Sequence, residues 1–167
     1  MTRILMVCMG NICRSPMAEG MLRKALQEAG LDRDVEVDSA GTHAYHVGSP
    51  PDPRAQEAVR QRGVDISNLR GRQVADADFE RFDYILVMDG DNYDQLVRRA
   101  PARHHGKIRR LLSFSAKYPD RDVVDPYYGG PKGFEENLDM IEDAVRSLIR
   151  EIVGAPHEKK EKNRPGS

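Results

Sequence analysis

Cysteine is scarce in this 167-residue chain: Cys8 and Cys13 are the only two, and none follows them. That excludes a disulfide framework. It also excludes an ordinary zinc site, because two cysteines without a nearby Cys or His pair do not close a tetrahedron. The five histidines are scattered and form no ligand pair, and His104-His105 reads as a solvated loop. Long apolar runs are missing too. No stretch approaches the roughly 20 residues that span a bilayer. No apolar signal region precedes the first predicted strand, so residence in the cytoplasm is expected. Net charge is −1, from 26 basic and 27 acidic residues, which gives no ground for a nucleic-acid or membrane partner. Tryptophan is absent, and that absence excludes no function. No internal repeat is present. What remains, 39% hydrophobic and 32% charged residues, fits one globular domain with a real core.

Against that plain background one stretch stands out: Cys8-Met9-Gly10-Asn11-Ile12-Cys13-Arg14-Ser15-Pro16. It follows the apolar run Ile4-Leu5-Met6-Val7 and precedes a helix-like pattern from Met17, which reads as strand, tight loop, helix. Cys-x5-Arg alone is too short to mean much, and a buried cysteine with a surface arginine would satisfy it. The surrounding residues change the balance. Gly10 permits φ > 0, and Asn11 tolerates the left-handed region. Ser15 is suited to cap the helix, and Pro16 to open it. Such a loop, with its amides turned inward at a helix N-terminus, is suited to hold a tetrahedral anion. Cys8 is placed as a sulfur nucleophile, which needs the thiolate form. Arg14 offers a planar fork for two oxygens at once. The Ser15 hydroxyl lies where it can donate to the Cys8 sulfur. The phosphate-binding residues expected here are Met9, Gly10, Asn11, Ile12, Cys13 and Arg14.

The rest of the chain alternates strand and helix. Strands are expected over Met1–Cys8, Val35–Asp38, Tyr84–Met88 and Ile108–Leu112. Helices are expected over Ser15–Gly30, Pro53–Arg62, Asp89–Arg99 and from Lys132 or Phe134 through Ile152. The last carries Leu138, Ile141, Ala144, Val145, Leu148, Ile149 and Ile152 at helical spacing. This pattern predicts a single α/β domain, a four-stranded parallel sheet with helices on both faces, over residues 1–154. Ligands of such sheets sit beyond the carboxyl ends of the strands, where Cys8 and the Asp89 region both fall. Residues 155–167, rich in charge, are expected to form a disordered tail.

The loop resembles the active-site loop of the low-molecular-weight protein tyrosine phosphatases, and the likeness runs from Arg3 to about Val153. Val37-Asp38-Ser39-Ala40-Gly41-Thr42, Pro51-Asp52-Pro53-Arg54-Ala55, Phe82 through Asp89 and Asp125-Pro126-Tyr127-Tyr128 match further family segments in order and spacing. The resemblance implies a Rossmann-like or flavodoxin-like fold and hydrolysis of phosphotyrosine through a phospho-cysteine, with no metal or cofactor. It implies that Asp125 is the general acid and base, where Asp-Pro alone would read as a turn initiator. It implies bracing of the loop among Asn11, Ser15 and Ser39, and a substrate pocket lined by Ile12, Tyr45 and Tyr127. The family often has a histidine just before the pair matching Arg72-Gln73; here Leu69-Arg70-Gly71 stands there, so that brace is missing from the pattern.

Two thiols five residues apart in a tight loop are close enough to bridge, and the resemblance implies a protective, reversible Cys8–Cys13 disulfide. The alternative is that Cys13 packs as a small residue beneath the loop. The implied partners are a tyrosine-phosphorylated protein or peptide and inorganic phosphate as product, with a monomer or weak dimer as the acting species. Tyr127 and Tyr128 are candidate phosphorylation sites by the same resemblance. Two rival readings are an arsenate reductase of the same fold and a phosphate-binding module that has lost catalysis. The first usually needs a further downstream cysteine pair, which is absent; the second sits poorly with intact Cys8, Arg14 and Asp125.

Overall fold

Ile4, Leu5, Met6 and Val7 are fully buried, and successive side chains enter different cores. Ile4 and Met6 join one apolar cluster, Leu5 and Val7 the other. That pattern belongs to a central strand covered on both faces. The computed structural model describes residues 1–126 and 130–163. The strand is β1 (Thr2–Cys8), followed by α1 (Arg14–Glu28), β2 (Val35–Gly41), α2 (Pro53–Arg60) and α3 (Asp76–Arg81). Then come β3 (Tyr84–Val87), α4 (Gly90–Arg99), β4 (Ile108–Arg110) and α5 (Gly130–Asn163). The four strands form one parallel sheet in the order β2-β1-β3-β4. Helices α1, α2 and α5 cover the face of Ile4 and Met6, through residues such as Met17, Val59 and Leu148. Phe79 of α3 and Leu96 of α4 cover the other. The expected fold class is the one found.

Several boundaries differ from the sequence reading, each for a local reason. β2 runs on to Gly41 because it stays paired with β1, Cys8 opposite Gly41. β4 stops at Arg110, and Leu111–Phe114 coil into a 3-10 turn whose apolar side chains still face the core. Helix α3 was not expected at all. It is only six residues long, Ala75 N–H donates to the Asp78 carboxylate at 2.8 Å to start it, and Phe79 anchors it. Helix α1 begins at Arg14 with Cys13 as its N-cap. Ser15 is therefore not the cap and Pro16 is the third helical residue, still within the first turn, where a missing N–H costs nothing. Helix α5 continues past Ile152 to Asn163, into the segment for which a disordered tail was expected. Tyr127, Tyr128 and residues 164–167 lie outside the described residues.

Among the described residues no helix is long and apolar enough to cross a membrane.

Candidate active site

The site forms where the carboxyl ends of β1 and β3 lie side by side, Val7 opposite Val87. Beyond β1 the chain must turn sharply, and Asn11 takes the turn with φ 58°. Asparagine is among the few non-glycine residues that occupy this region without large cost. Gly10 does not adopt positive φ, so its need is spatial. A Cβ there would lie 3.0 Å from Cδ2 of the His46 ring. Gly41 is needed for closeness as well, since its Cβ would stand 2.8 Å from the Met9 carbonyl oxygen. That contact lets Thr42 N–H donate to Cys8 O at 2.9 Å and His43 N–H to Met9 O at 3.1 Å, tying the loop to the end of β2.

The Asn11 side chain locks this turn. Its Nδ2 donates to Ser15 Oγ at 2.8 Å and to Ser39 Oγ at 3.0 Å. Its Oδ1 accepts from the backbone N–H of Arg72 at 3.0 Å. The bracing implied among Asn11, Ser15 and Ser39 is present in this geometry. A backbone amide thus supplies the third hydrogen bond of the Asn11 side chain. Arg72 holds that amide in place because its guanidinium pairs with Asp38 at 3.0 Å and Asp78 at 2.9 Å. Ser39 in turn donates to the Glu19 carboxylate at 2.7 Å, and Glu19 is anchored by Arg23 at 2.7 Å. Burial raises the Glu19 carboxyl above its usual range, while the Ser39 and Arg23 contacts oppose the rise.

Cys8 Sγ lies 3.0 Å from Ser15 Oγ and accepts from Asn11 N–H at 3.3 Å. Because Ser15 Oγ already accepts from Asn11, its own hydrogen is free to point at the sulfur. Two donors therefore converge on one sulfur. Cys13 differs. Burial first, then the charges of Asp52, Cys8 and Asp125, push its thiol up to about 12, partly offset by Arg54. Both cysteines are free and buried.

Arg14 is buried and anchored chiefly through one guanidinium nitrogen. Its Nη1 donates to Asp89 Oδ2 at 2.6 Å and to the Val123 carbonyl at 2.8 Å, and Nη2 stands 3.9 Å from Asp125. Burial opposes the charge, but Cys8, Asp89 and Asp125 outweigh it, and the guanidinium is raised above its ordinary range. Asp89 does two things at once, since its Oδ1 caps α4 by accepting from Asn92 N–H at 2.8 Å. Asp125 arrives from a distant loop. Val123 N–H donates to Met88 O at 2.8 Å and Asn137 Nδ2 to Val124 O at 2.9 Å, which pin that loop over the end of β3.

Cys8, Met9, Gly10, Ile12, Cys13, Arg14, Tyr45, His46 and Asp125 line a cavity of about 260 Å³. Of the expected site residues, Asn11, Ser15 and Ser39 stand behind it as braces, and Tyr127 lies outside the described residues. Asp89, Glu19, Arg72 and His46 were not expected. Glu19 had a legible signal, a carboxylate four residues after Ser15 on the inward stripe of α1. His46 had none, since nothing local marks a loop histidine as facing Gly10. Among the described residues no group of three or more His, Cys, Asp or Glu side chains is disposed to hold a metal ion.

Comparison with known proteins bears on the family of the whole chain. The family model for low molecular weight phosphotyrosine protein phosphatase matches residues 3–160. A low molecular weight protein-tyrosine-phosphatase of Streptomyces coelicolor is 41% identical over 153 residues, covering 90% of this chain and 93% of that protein. The low molecular weight phosphotyrosine protein phosphatase of Gallus gallus is 40% identical over 156 residues, covering 92% and 95%. A crystal structure of a protein tyrosine phosphatase from Entamoeba histolytica superposes with a TM-score of 0.90 at 40% identity, covering 93% of this chain and 99% of that one. With the fold, the loop and the relatives in agreement along nearly its whole length, this chain belongs to the low molecular weight phosphotyrosine protein phosphatase family, enzymes that hydrolyse phosphotyrosine.

Proposed function

We propose that this chain dephosphorylates tyrosine-phosphorylated proteins or peptides, with Cys8 as nucleophile, Arg14 as phosphate clamp and Asp125 as general acid and base. The observation that carries this reading is the convergence of Cys8, Arg14 and Asp125 on one cavity. Cys8 Sγ attacks phosphorus, the S–P bond forms, and the P–O bond to tyrosine breaks. The leaving oxygen takes its proton from Asp125, without which a tyrosinate departs poorly. Asp125, now a carboxylate, takes a proton from water, whose oxygen attacks the phospho-cysteine. The S–P bond breaks, inorganic phosphate leaves, and the Ser15 hydroxyl stabilises the departing thiolate. The fixed donors around the phosphoryl oxygens need no rearrangement as charge develops, which is where such sites derive most of their rate.

Ile12 and Tyr45 flank the cavity as apolar walls suited to a phenyl ring. A phosphoserine, with a shorter reach and no ring, gains neither contact. The arsenate reading finds less support, because no cysteine follows Cys13 to relay electrons. Cys8 and Cys13 line the same cavity, which supports a reversible bridge between them as the redox device of this loop.

The test is phosphate release from a phosphotyrosine peptide without added metal, comparing wild type with Cys8→Ser. Release that disappears in the variant is expected. A folded wild-type chain that releases no phosphate would overturn the reading.

A further inference from the structure

Seven large apolar side chains are exposed among the described residues, and three of them, Met9, Tyr45 and Val47, belong to the two segments that frame the catalytic cavity. A surface that concentrates apolar side chains beside a site is a docking surface for whatever the site acts on. Within it stands one polar group without an assignment. His46 lines the cavity, half buried, and its imidazole has no hydrogen-bond partner among the described residues.

The ring is nonetheless held. Its backbone carbonyl accepts from Ser49 N–H at 3.0 Å, and Gly71 passes so close that a Cβ there would meet that oxygen at 2.3 Å. The side chain rests on Gly10, whose lack of a Cβ makes room for it. The other histidine of this loop is spent on structure: His43 Nδ1 bonds Thr42 Oγ1 at 2.8 Å, and its ring stacks on Tyr45 with centroids 5.0 Å apart. His46 is thus preorganised and unspent. The carboxylate that shares its cavity, Asp125, is paired with the Arg14 guanidinium at 3.9 Å. Residues 42–49 contain no Asp or Glu. The next carboxylate along the chain, Asp52, is already engaged by the Arg54 guanidinium at 3.1 Å and its backbone N–H at 2.8 Å.

We infer that His46 is a specificity residue, reading the amino acid beside phosphotyrosine in the substrate and favouring a carboxylate side chain there. The inference rests on the phosphotyrosine reading above. An imidazole can present a donor on either nitrogen and becomes a double donor when a carboxylate holds its proton. A lysine in the same place meets no acceptor of opposite charge. Because the contact is made equally in the bound complex and the transition state, it acts on KM rather than kcat.

The experiment uses the full chain and phosphotyrosine peptides that differ only in the residues flanking the phosphotyrosine, Glu or Lys, with free phosphotyrosine as the reference substrate. Wild type is expected to favour the Glu peptide by about fivefold in kcat/KM, through KM, the size of a partly exposed ion pair. His46→Ala should reduce that preference below about twofold, and His46→Arg should restore it. The same ordering is expected for peptide Kd measured on the Cys8→Ser form, which needs no turnover. A wild type without preference, or a preference that survives in His46→Ala, overturns the role of His46. No hydrolysis of free phosphotyrosine by folded wild type overturns the phosphatase reading instead, and the Kd ordering still decides the inference.

Discussion

One guanidinium nitrogen of Arg14 lies 2.6 Å from Oδ2 of Asp89, a residue 75 positions away, while the other oxygen of that carboxylate caps α4. The Arg14 guanidinium and the start of a helix are therefore secured by a single side chain. Asp89→Asn separates the two duties, because asparagine caps as well as aspartate but brings no charge. The expected result is a roughly tenfold or greater fall in kcat/KM, the scale of one lost charge-assisted bond, with a nearly unchanged melting temperature. Asp89→Ala should lose about 1 kcal/mol of stability as well. Steady-state kinetics and thermal melts check both, and an unimpaired Asp89→Asn would refute the anchoring role.

Arg14→Lys tests the fork itself. Lysine keeps the charge but cannot present two parallel donors to the phosphoryl oxygens while also holding Asp89 and the Val123 carbonyl. Turnover is expected to drop by about a hundredfold or more, comparable to removing an oxyanion donor. Near-normal rates would contradict the role.

The left-handed turn at Asn11 makes a paired prediction. Asn11→Gly keeps φ accessible but removes three hydrogen bonds, and Asn11→Ala removes them and adds steric strain. The alanine form is expected to be less stable than the glycine form by about 1 kcal/mol, and both should turn over slowly. Equal denaturant midpoints for the two would show that the turn stores no strain.

Asp125→Ala addresses the acid. A tyrosinate leaves poorly without a proton, so Asp125→Ala should lower turnover of a phosphotyrosine peptide by about a hundredfold. A nitrophenyl phosphate, whose leaving group departs without a proton, should lose much less. Equal losses on both substrates would remove Asp125 from the mechanism.

Cys13 predicts a stability effect. Its thiol is pushed up to about 12 from 9.0, so between these values the folded chain holds a proton that the unfolded chain has released. Stability from this group is complete below pH 9.0 and is lost as pH rises toward about 12. The slope is at most about 1.4 kcal/mol per pH unit. Urea unfolding of wild type and Cys13→Ala across this window should converge by that amount. Parallel curves would mean that Cys13 does not titrate abnormally.

Much of the fold was legible because its signals are local. The buried run Ile4–Val7, the Asn11 turn and the apolar spacing along α5 each follow from chain sterics and periodicity over a few residues. Helix α3 was missed because six residues carry too little periodicity, and its stability comes from Phe79 in a core that the local pattern does not reveal. The Ser15 assignment as helix cap failed for a related reason. Its hydroxyl is claimed by Cys8 and Asn11, partners whose positions depend on the loop closing.

The sequence alone determined the strand, the tight loop and the helix that present Cys8 and Arg14, since backbone sterics and the spacing of eight residues decide them. It also marked the family. Only the tertiary structure decided which of the 27 acidic residues faces Arg14 and which histidine faces Gly10. The parallel pairing of β1 with β3 sets the ends of distant strands beside each other, and the hydrogen bonds of Val123 and Asn137 carry Asp125 over them. These contacts join residues far apart in the chain. They form because burying both faces of one sheet fixes its register, and no local pattern records where a register brings two strand ends together.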